Sequence, residues 1–266
     1  MYNYLIKNSY IKKIFKNYLI KNENDFINSS IKKFFFKNIE ETNMNLPCYL
    51  DVFQFAGGNE THQIIKFFYE FYQKWFKKNL LNIDIIYCEF SNYGIKKFLI
   101  SINEIYSYFL FKNENGIHRI IRKNPLSSND KIQTSYLNIV VIPYIQDKKI
   151  IIKKEDLIID YYKSKGPGGQ HVNNTNSAVR ITHIPTNIIV TCQSERSQFK
   201  NKNFAFKILK YKLHLKNNFN NNVQNFNKKY VKTYYFENNL IVNHLTKKKY
   251  NLNNYFKLEI DFIYDN

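Results

Sequence analysis

Seven glycines are spread through 266 residues, and three of them crowd into the stretch Lys163-Ser164-Lys165-Gly166-Pro167-Gly168-Gly169-Gln170-His171-Val172-Asn173. Glycine reaches positive φ without steric cost, so this run can turn sharply and expose bare peptide N–H groups. The run has neither the Gly-Lys-Ser/Thr ending of a phosphate-binding loop nor the dinucleotide fingerprint, which argues against a nucleotide cradle. A tight turn that simply needs glycine is the plain alternative. His171 is the obvious proton-transfer group nearby, but a lone histidine beside such a loop more often serves packing.

The elements that must position this loop read as follows. Tyr49 to Phe55 alternates with the period of a strand and stops at Ala56-Gly57-Gly58. Asn59 to Lys77 repeats Ile64, Phe67, Phe68, Phe71, Trp75 and Phe76 at helical spacing, with Asn59 as the expected cap and the aromatic stripe as core. Strands are predicted over 82–89, 95–101, 136–144 and 157–162, with a short helix over 103–111. After the glycine loop, 178–183 and 187–193 form a hairpin around Pro185-Thr186. A basic helix follows over about 197–215, with Ala205, Leu209 and Leu213 inward. Residues 1–46 read as two short helices, 217–227 as an Asn-rich linker or helix extension, and 231–236 with 240–244 as a last strand pair.

Composition bounds the partners. Hydrophobic residues make up 44% of the chain and aromatics 17%, enough for real cores. The formal charge of +19 suggests a polyanionic partner. Coding drift toward A and T would also crowd the chain with Lys, Asn, Ile, Phe and Tyr, so charge alone is discounted. The four arginines, Arg119, Arg122, Arg180 and Arg196, are more informative, because a chain free with lysine keeps arginine where a planar, multiply donating group is wanted. Cys48, Cys88 and Cys192 are too scattered for a disulfide framework or a zinc quartet and are read as reduced and structural. No metal or other cofactor is expected. No apolar run approaches the roughly 20 residues of a membrane span, and the start lacks a cleavable signal pattern, so the cytoplasm is the expected location.

The glycine run sits in a longer string that continues through Ser177-Ala178-Val179-Arg180-Ile181-Thr182-His183, Pro185-Thr186, Arg196-Ser197-Gln198 and Asn201-Lys202. Together with Ala56-Gly57-Gly58-Asn59-Glu60-Thr61, Gly116-Ile117-His118-Arg119, Thr134-Ser135, Lys232-Thr233-Tyr234 and Asn243-His244, it resembles the bacterial class I peptide chain release factors over residues 48–260. Trp75 and Arg122-Lys123 before a Pro-centred tripeptide are closer to the type 2 factors, which read UAA and UGA.

The resemblance implies an α+β, multi-domain chain. Residues 1–46 would be a reduced helical N-terminal region and 47–155 the codon-recognition domain. Residues 156–227 would be an inserted domain for peptidyl-tRNA hydrolysis, and 228–266 a segment completing the codon-recognition domain. It also implies that Gly168, Gly169 and Gln170 enter the peptidyl transferase centre of the ribosome. There Gln170 would orient water against the ester joining peptide to tRNA, and its N–H would stabilise the developing charge. Hydrolysis would then be promoted only together with the ribosome. Lys163, Lys165, Arg180, Arg196, Lys200 and Lys202 would contact ribosomal or transfer RNA phosphates. The partners implied are ribosomal RNA, the mRNA stop codon, the P-site peptidyl-tRNA and a glutamine methyltransferase acting on Gln170. The protein is expected to be monomeric and without membrane contact.

Departures from the family fall mainly in the codon-reading stretch. Asn124-Pro125-Leu126 stands where type 2 factors have Ser-Pro-Phe, and Gln133-Thr134-Ser135 where they have His-Thr-Ser. Asn124 keeps hydrogen-bonding capacity, Leu126 loses an aromatic face, and Gln133 can pair but stacks poorly. Asn174 and Asn176 replace a basic and an acidic residue in the catalytic domain. A codon-independent rescue hydrolase and a non-catalytic RNA-binding protein are the competing readings.

Overall fold

Strand β1 (Cys48–Ala56) alternates sides along its length: Cys48, Leu50 and Val52 face one core, while Tyr49 faces another. This is the period-2 geometry of a strand buried on both faces. The computed structural model describes residues 46–104, 107–124, 131–143, 152–164, 175–193, 195–218 and 230–257. The expected N-terminal helices and most of the Asn-rich linker lie outside these residues.

Around β1 the chain builds an eight-stranded mixed sheet from β2 (Ile83–Ser91), β3 (Gly94–Ile102), β4 (Gly116–Lys123), β5 (Ile132–Pro143), β9 (Tyr230–Tyr235), β10 (Leu240–Asn243) and β11 (Lys249–Asn251). Its order is β11-β10-β9-β4-β5-β1-β3-β2. All pairs are antiparallel except β4 with β9, which brings the C-terminal strands into the sheet built by the first half of the chain. A three-stranded antiparallel sheet holds β6 (Leu157–Tyr162), β7 (Ala178–His183) and β8 (Ile188–Cys192) in the order β6-β7-β8. The β7–β8 connection runs through a 3-10 turn at Ile184–Thr186 and Asn187 at φ +54°.

Helix α1 (Glu60–Lys78) lays its aromatic stripe on one face of the large sheet, with α2 (Ser107–Phe111) and α4 (Leu252–Phe256) beside it. Phe68, Tyr72, Trp75 and Phe76 are almost wholly buried, and Trp75 meets Phe111 edge-on at 5.5 Å. The stripe is core, although Phe67 lies at its rim with 38% exposure. Asn59 does not cap the helix: it is itself helical in backbone and makes no capping bond. The Glu60 carboxylate instead accepts the Gly58 N–H at 2.8 Å, satisfying a donor just outside the first turn.

The opposite face of the large sheet, at Tyr49, Leu99, Val140 and Ile142, packs against the smaller sheet and helix α3 (Gln198–Asn218). Ala205, Leu209 and Leu213 face inward as expected, while Lys207, Lys210 and Lys216 stay exposed. Lys212 and Lys216 fold back to the carbonyls of Ile189 and Thr186.

A buried polar network ties β4 to the C-terminal strands. Lys232 pairs with the Glu114 carboxylate and donates to Tyr255 Oη at 3.1 Å. His118 accepts from the Tyr234 hydroxyl at 3.0 Å and approaches the Glu114 carbonyl at 2.9 Å. A carbonyl can only accept, so the imidazole carries its proton on Nε2. Burial drives the His118 pKa from 6.5 down to about 4, so the ring is neutral at pH 7.

The strand expectations need correction in three places, one being the unanticipated β11 at Lys249–Asn251. Residues 116–123 form β4, whose hydrophobic positions are interrupted by His118, Arg119 and Arg122 and so hide the alternation. β5 begins at Ile132 rather than at 136, because ladder pairing with β4 carries the polar residues Gln133 to Ser135 into the sheet.

Candidate functional site

Two regions bear on the expected chemistry. The first is the free end of the β4–β5 pair, where Lys123 faces Ile132, Arg122 faces Gln133 and Ile121 faces Thr134. Asn124 N–H donates to the Lys131 carbonyl at 3.1 Å, closing the end, while Pro125 and Leu126 fall outside the described residues. Gln133 and Thr134 are both exposed. As neighbours on a strand they lie on opposite faces, so they can meet one nucleic-acid strand only where it passes over the strand end.

Beside Gln133, Arg122 reaches α1 and donates from Nη2 to the Glu60 carbonyl at 2.9 Å. Burial lowers the Arg122 pKa from its ordinary value and the nearby Glu60 charge opposes that shift. The turn before α1 packs into the same corner. Gly57 has φ +129°, and a Cβ there would stand 2.3 Å from Thr61 Oγ1 and 3.4 Å from Ser135 Oγ. Glycine is therefore required by both conformation and space. Arg122 Nε and Thr61 Oγ1 are buried without a hydrogen-bond partner among the described residues. From the sequence, Gly57 and Gly58 mark the end of a strand and, with Glu60, form part of the resemblance, but their packing is not evident. A glycine pair in a glycine-poor chain was the available signal that they pack against the β4–β5 end.

The second region is the stem from which the glycine loop leaves. Tyr162 on β6 pairs with Ala178 on β7, and just beyond them Ser164 Oγ and Ser177 Oγ are 3.3 Å apart. Gly168, Gly169, Gln170, Lys165 and His171 lie between these ends, outside the described residues. Of the predicted RNA-contacting cations, Lys163 is exposed at the stem and Arg196 and Lys200 are exposed just before and within the first turn of α3. Lys200 stands 4.0 Å from Glu195, and Lys202 lies over the Tyr161 ring at 5.9 Å. Arg180 is engaged by Asp160, with Nε and Nη2 at 2.9 and 2.8 Å from the same carboxylate oxygen. Both partners are about half exposed, so the pair contributes little stability and a phosphate can compete for the guanidinium.

Among the described residues Cys48, Cys88 and Cys192 form no disulfide. Burial pushes the Cys48 and Cys88 pKa values up to about 12 and about 11, which keeps both protonated and unreactive.

Residues 12–139 match the PCRF domain and residues 146–255 the RF-1 domain, so the β4–β5 end falls in one match and the glycine loop in the other. The chain belongs to the family of class I peptide chain release factors. Its similarity is to type 2 members. It is 45% identical to peptide chain release factor 2 of Aliarcobacter butzleri over 60% of this chain and 44% of that protein. It is 43% identical to peptide chain release factor 2 of Borreliella burgdorferi over 66% and 49%. The chain thus spans about half the length of these curated release factors. Among solved structures, RF2 of Thermus thermophilus superposes with a TM-score of 0.68 at 25% identity, covering 93% of this chain and 78% of that one. Among the described residues no helix is long and apolar enough to cross a membrane.

Proposed function

We propose that the chain terminates translation as a type 2 release factor, reading UAA and UGA in the ribosomal A site and promoting hydrolysis of the peptidyl-tRNA ester. The observation that carries this reading is the order of parts: a polar β4–β5 end inside the PCRF match, then Gly168-Gly169-Gln170 on a stem inside the RF-1 match. Asn124, Pro125, Leu126, Gln133 and Thr134 read the codon by hydrogen bonds and apolar contact at base edges. The two glycines let the backbone approach the tRNA end without Cβ contact. Gln170 then orients water, and its N–H stabilises the charge that develops on the ester oxygen. No side chain need act as a general base. Lys163, Lys165, Arg180, Arg196, Lys200 and Lys202 hold RNA phosphates, and the factor works as a monomer in the cytoplasm. A glutamine methyltransferase would modify Gln170.

A codon-independent rescue activity is favoured only by the altered readers Asn124, Leu126 and Gln133. The two readings separate on ribosomes carrying formyl-methionyl-tRNA with UAA, UGA, UAG or a sense codon in the A site. Release at UAA and UGA alone supports termination, equal release at every codon supports rescue, and binding without release leaves a non-catalytic RNA-binding protein.

A further inference from the structure

Asn201, in the first turn of α3, is completely buried, and its carboxamide is committed to the backbone around the stem. Nδ2 donates to the Ser177 carbonyl at 2.8 Å and to the Glu195 carbonyl at 2.7 Å. Oδ1 accepts the Glu195 N–H at 2.9 Å and the Cys192 thiol at 3.6 Å. Two donors and two lone pairs are thereby used in full, which an aspartate could not reproduce because it has no N–H to give. A second tie runs alongside: Gln198 Nε2 donates to the Asn176 carbonyl at 2.7 Å.

The residues held are informative. Ser177 immediately precedes β7 and faces Ser164 on the other leg of the stem. Asn201 therefore does more than satisfy its own helix: it joins the returning leg of the stem, the segment before α3 and the helix itself at one buried point. A rigid stem fixes where a loop starts and in which direction it leaves, and reaction rates fall steeply with small misplacements of a reacting group.

We propose that Asn201, assisted by Gln198, is a positioning residue for peptide release, fixing the chain where it returns from the glycine loop at Asn176-Ser177 relative to α3. This rests on the release-factor reading above. The effect belongs to the hydrolytic step and not to ribosome binding, since the carboxamide is buried and cannot touch RNA.

The test measures formyl-methionine release at UAA against factor concentration for the wild type, Asn201→Asp and Gln198→Ala, with thermal unfolding of each recorded in parallel. The maximal rate is expected to fall roughly 10- to 100-fold for Asn201→Asp and several-fold for Gln198→Ala, with the half-saturating concentration changing less than about threefold. An unchanged maximal rate in folded Asn201→Asp overturns the proposal, as does a raised half-saturating concentration at an unchanged maximal rate. Should Asn201→Asp fail to fold, the exposed Gln198 carries the test, and an unchanged maximal rate for Gln198→Ala overturns it. A wild-type protein that releases nothing at any codon would sink the release-factor reading itself, a distinct outcome.

Discussion

Tyr211 on α3 donates its hydroxyl to Asp51 Oδ2 on β1 at 2.7 Å, across 160 residues of sequence. The same carboxylate oxygen takes Lys97 Nζ at 3.0 Å, while Oδ1 is buried without a partner among the described residues. A buried carboxylate thus couples the small sheet and its helix to the large sheet. Burial, then the neighbouring Asp51 charge, drives the Tyr211 phenol well above its ordinary pKa, so it stays a donor. Tyr211→Phe removes a hydrogen bond to a charged group and is expected to cost about 1.5–3 kcal/mol. Urea unfolding checks this, and an unchanged midpoint would refute it.

His118 sets a pH dependence. The buried ring holds its pKa at about 4 against 6.5 for a free histidine, so the unfolded chain binds the extra proton first as pH falls. This contribution to stability is fully present above pH 6.5 and is lost between there and about 4, at up to about 1.4 kcal/mol per pH unit. Carboxylates add their own slope, so the measurement is a difference. The wild type should lose stability between pH 6.5 and 4 more steeply than His118→Gln, and parallel curves would contradict the assignment.

At the β4–β5 end, proposed to read the codon, Gln133 exposes an amide where an aromatic ring could stack on a base. Base–aromatic stacking contributes about 1–3 kcal/mol, so Gln133→His is expected to lower the half-saturating concentration for UAA release by roughly fivefold or more. Release kinetics at UAA and at a sense codon decide it. Equal gains at both would mean that residue 133 does not read the codon.

Gly169→Ala should abolish release while leaving ribosome binding intact, because a Cβ would obstruct the close approach of the backbone at the tip. Co-sedimentation with ribosomes alongside the release assay separates the two. Unchanged release would refute the mechanism assigned to Gly168-Gly169-Gln170.

The sequence by itself determined the family, the α+β class and the position of the glycine loop, since these rest on rare residues at fixed spacing. It also determined the inward face of α3 and the buried stripe of α1, because helical periodicity is local information. It did not disclose β4, or the start of β5 at Ile132, where polar residues are held in strands by cross-strand pairing and not by their own alternation. Nor could it tell that Glu60 would replace Asn59 at the head of α1, that Arg122 would reach the Glu60 carbonyl, or that Gly57 would abut Ser135. The Arg122–Glu60 and Gly57–Ser135 contacts join residues far apart in the chain. The same holds for Asn201: only the fold brings its carboxamide to Ser177 and Glu195 together, turning one polar residue on a basic helix into the fixed point of the stem.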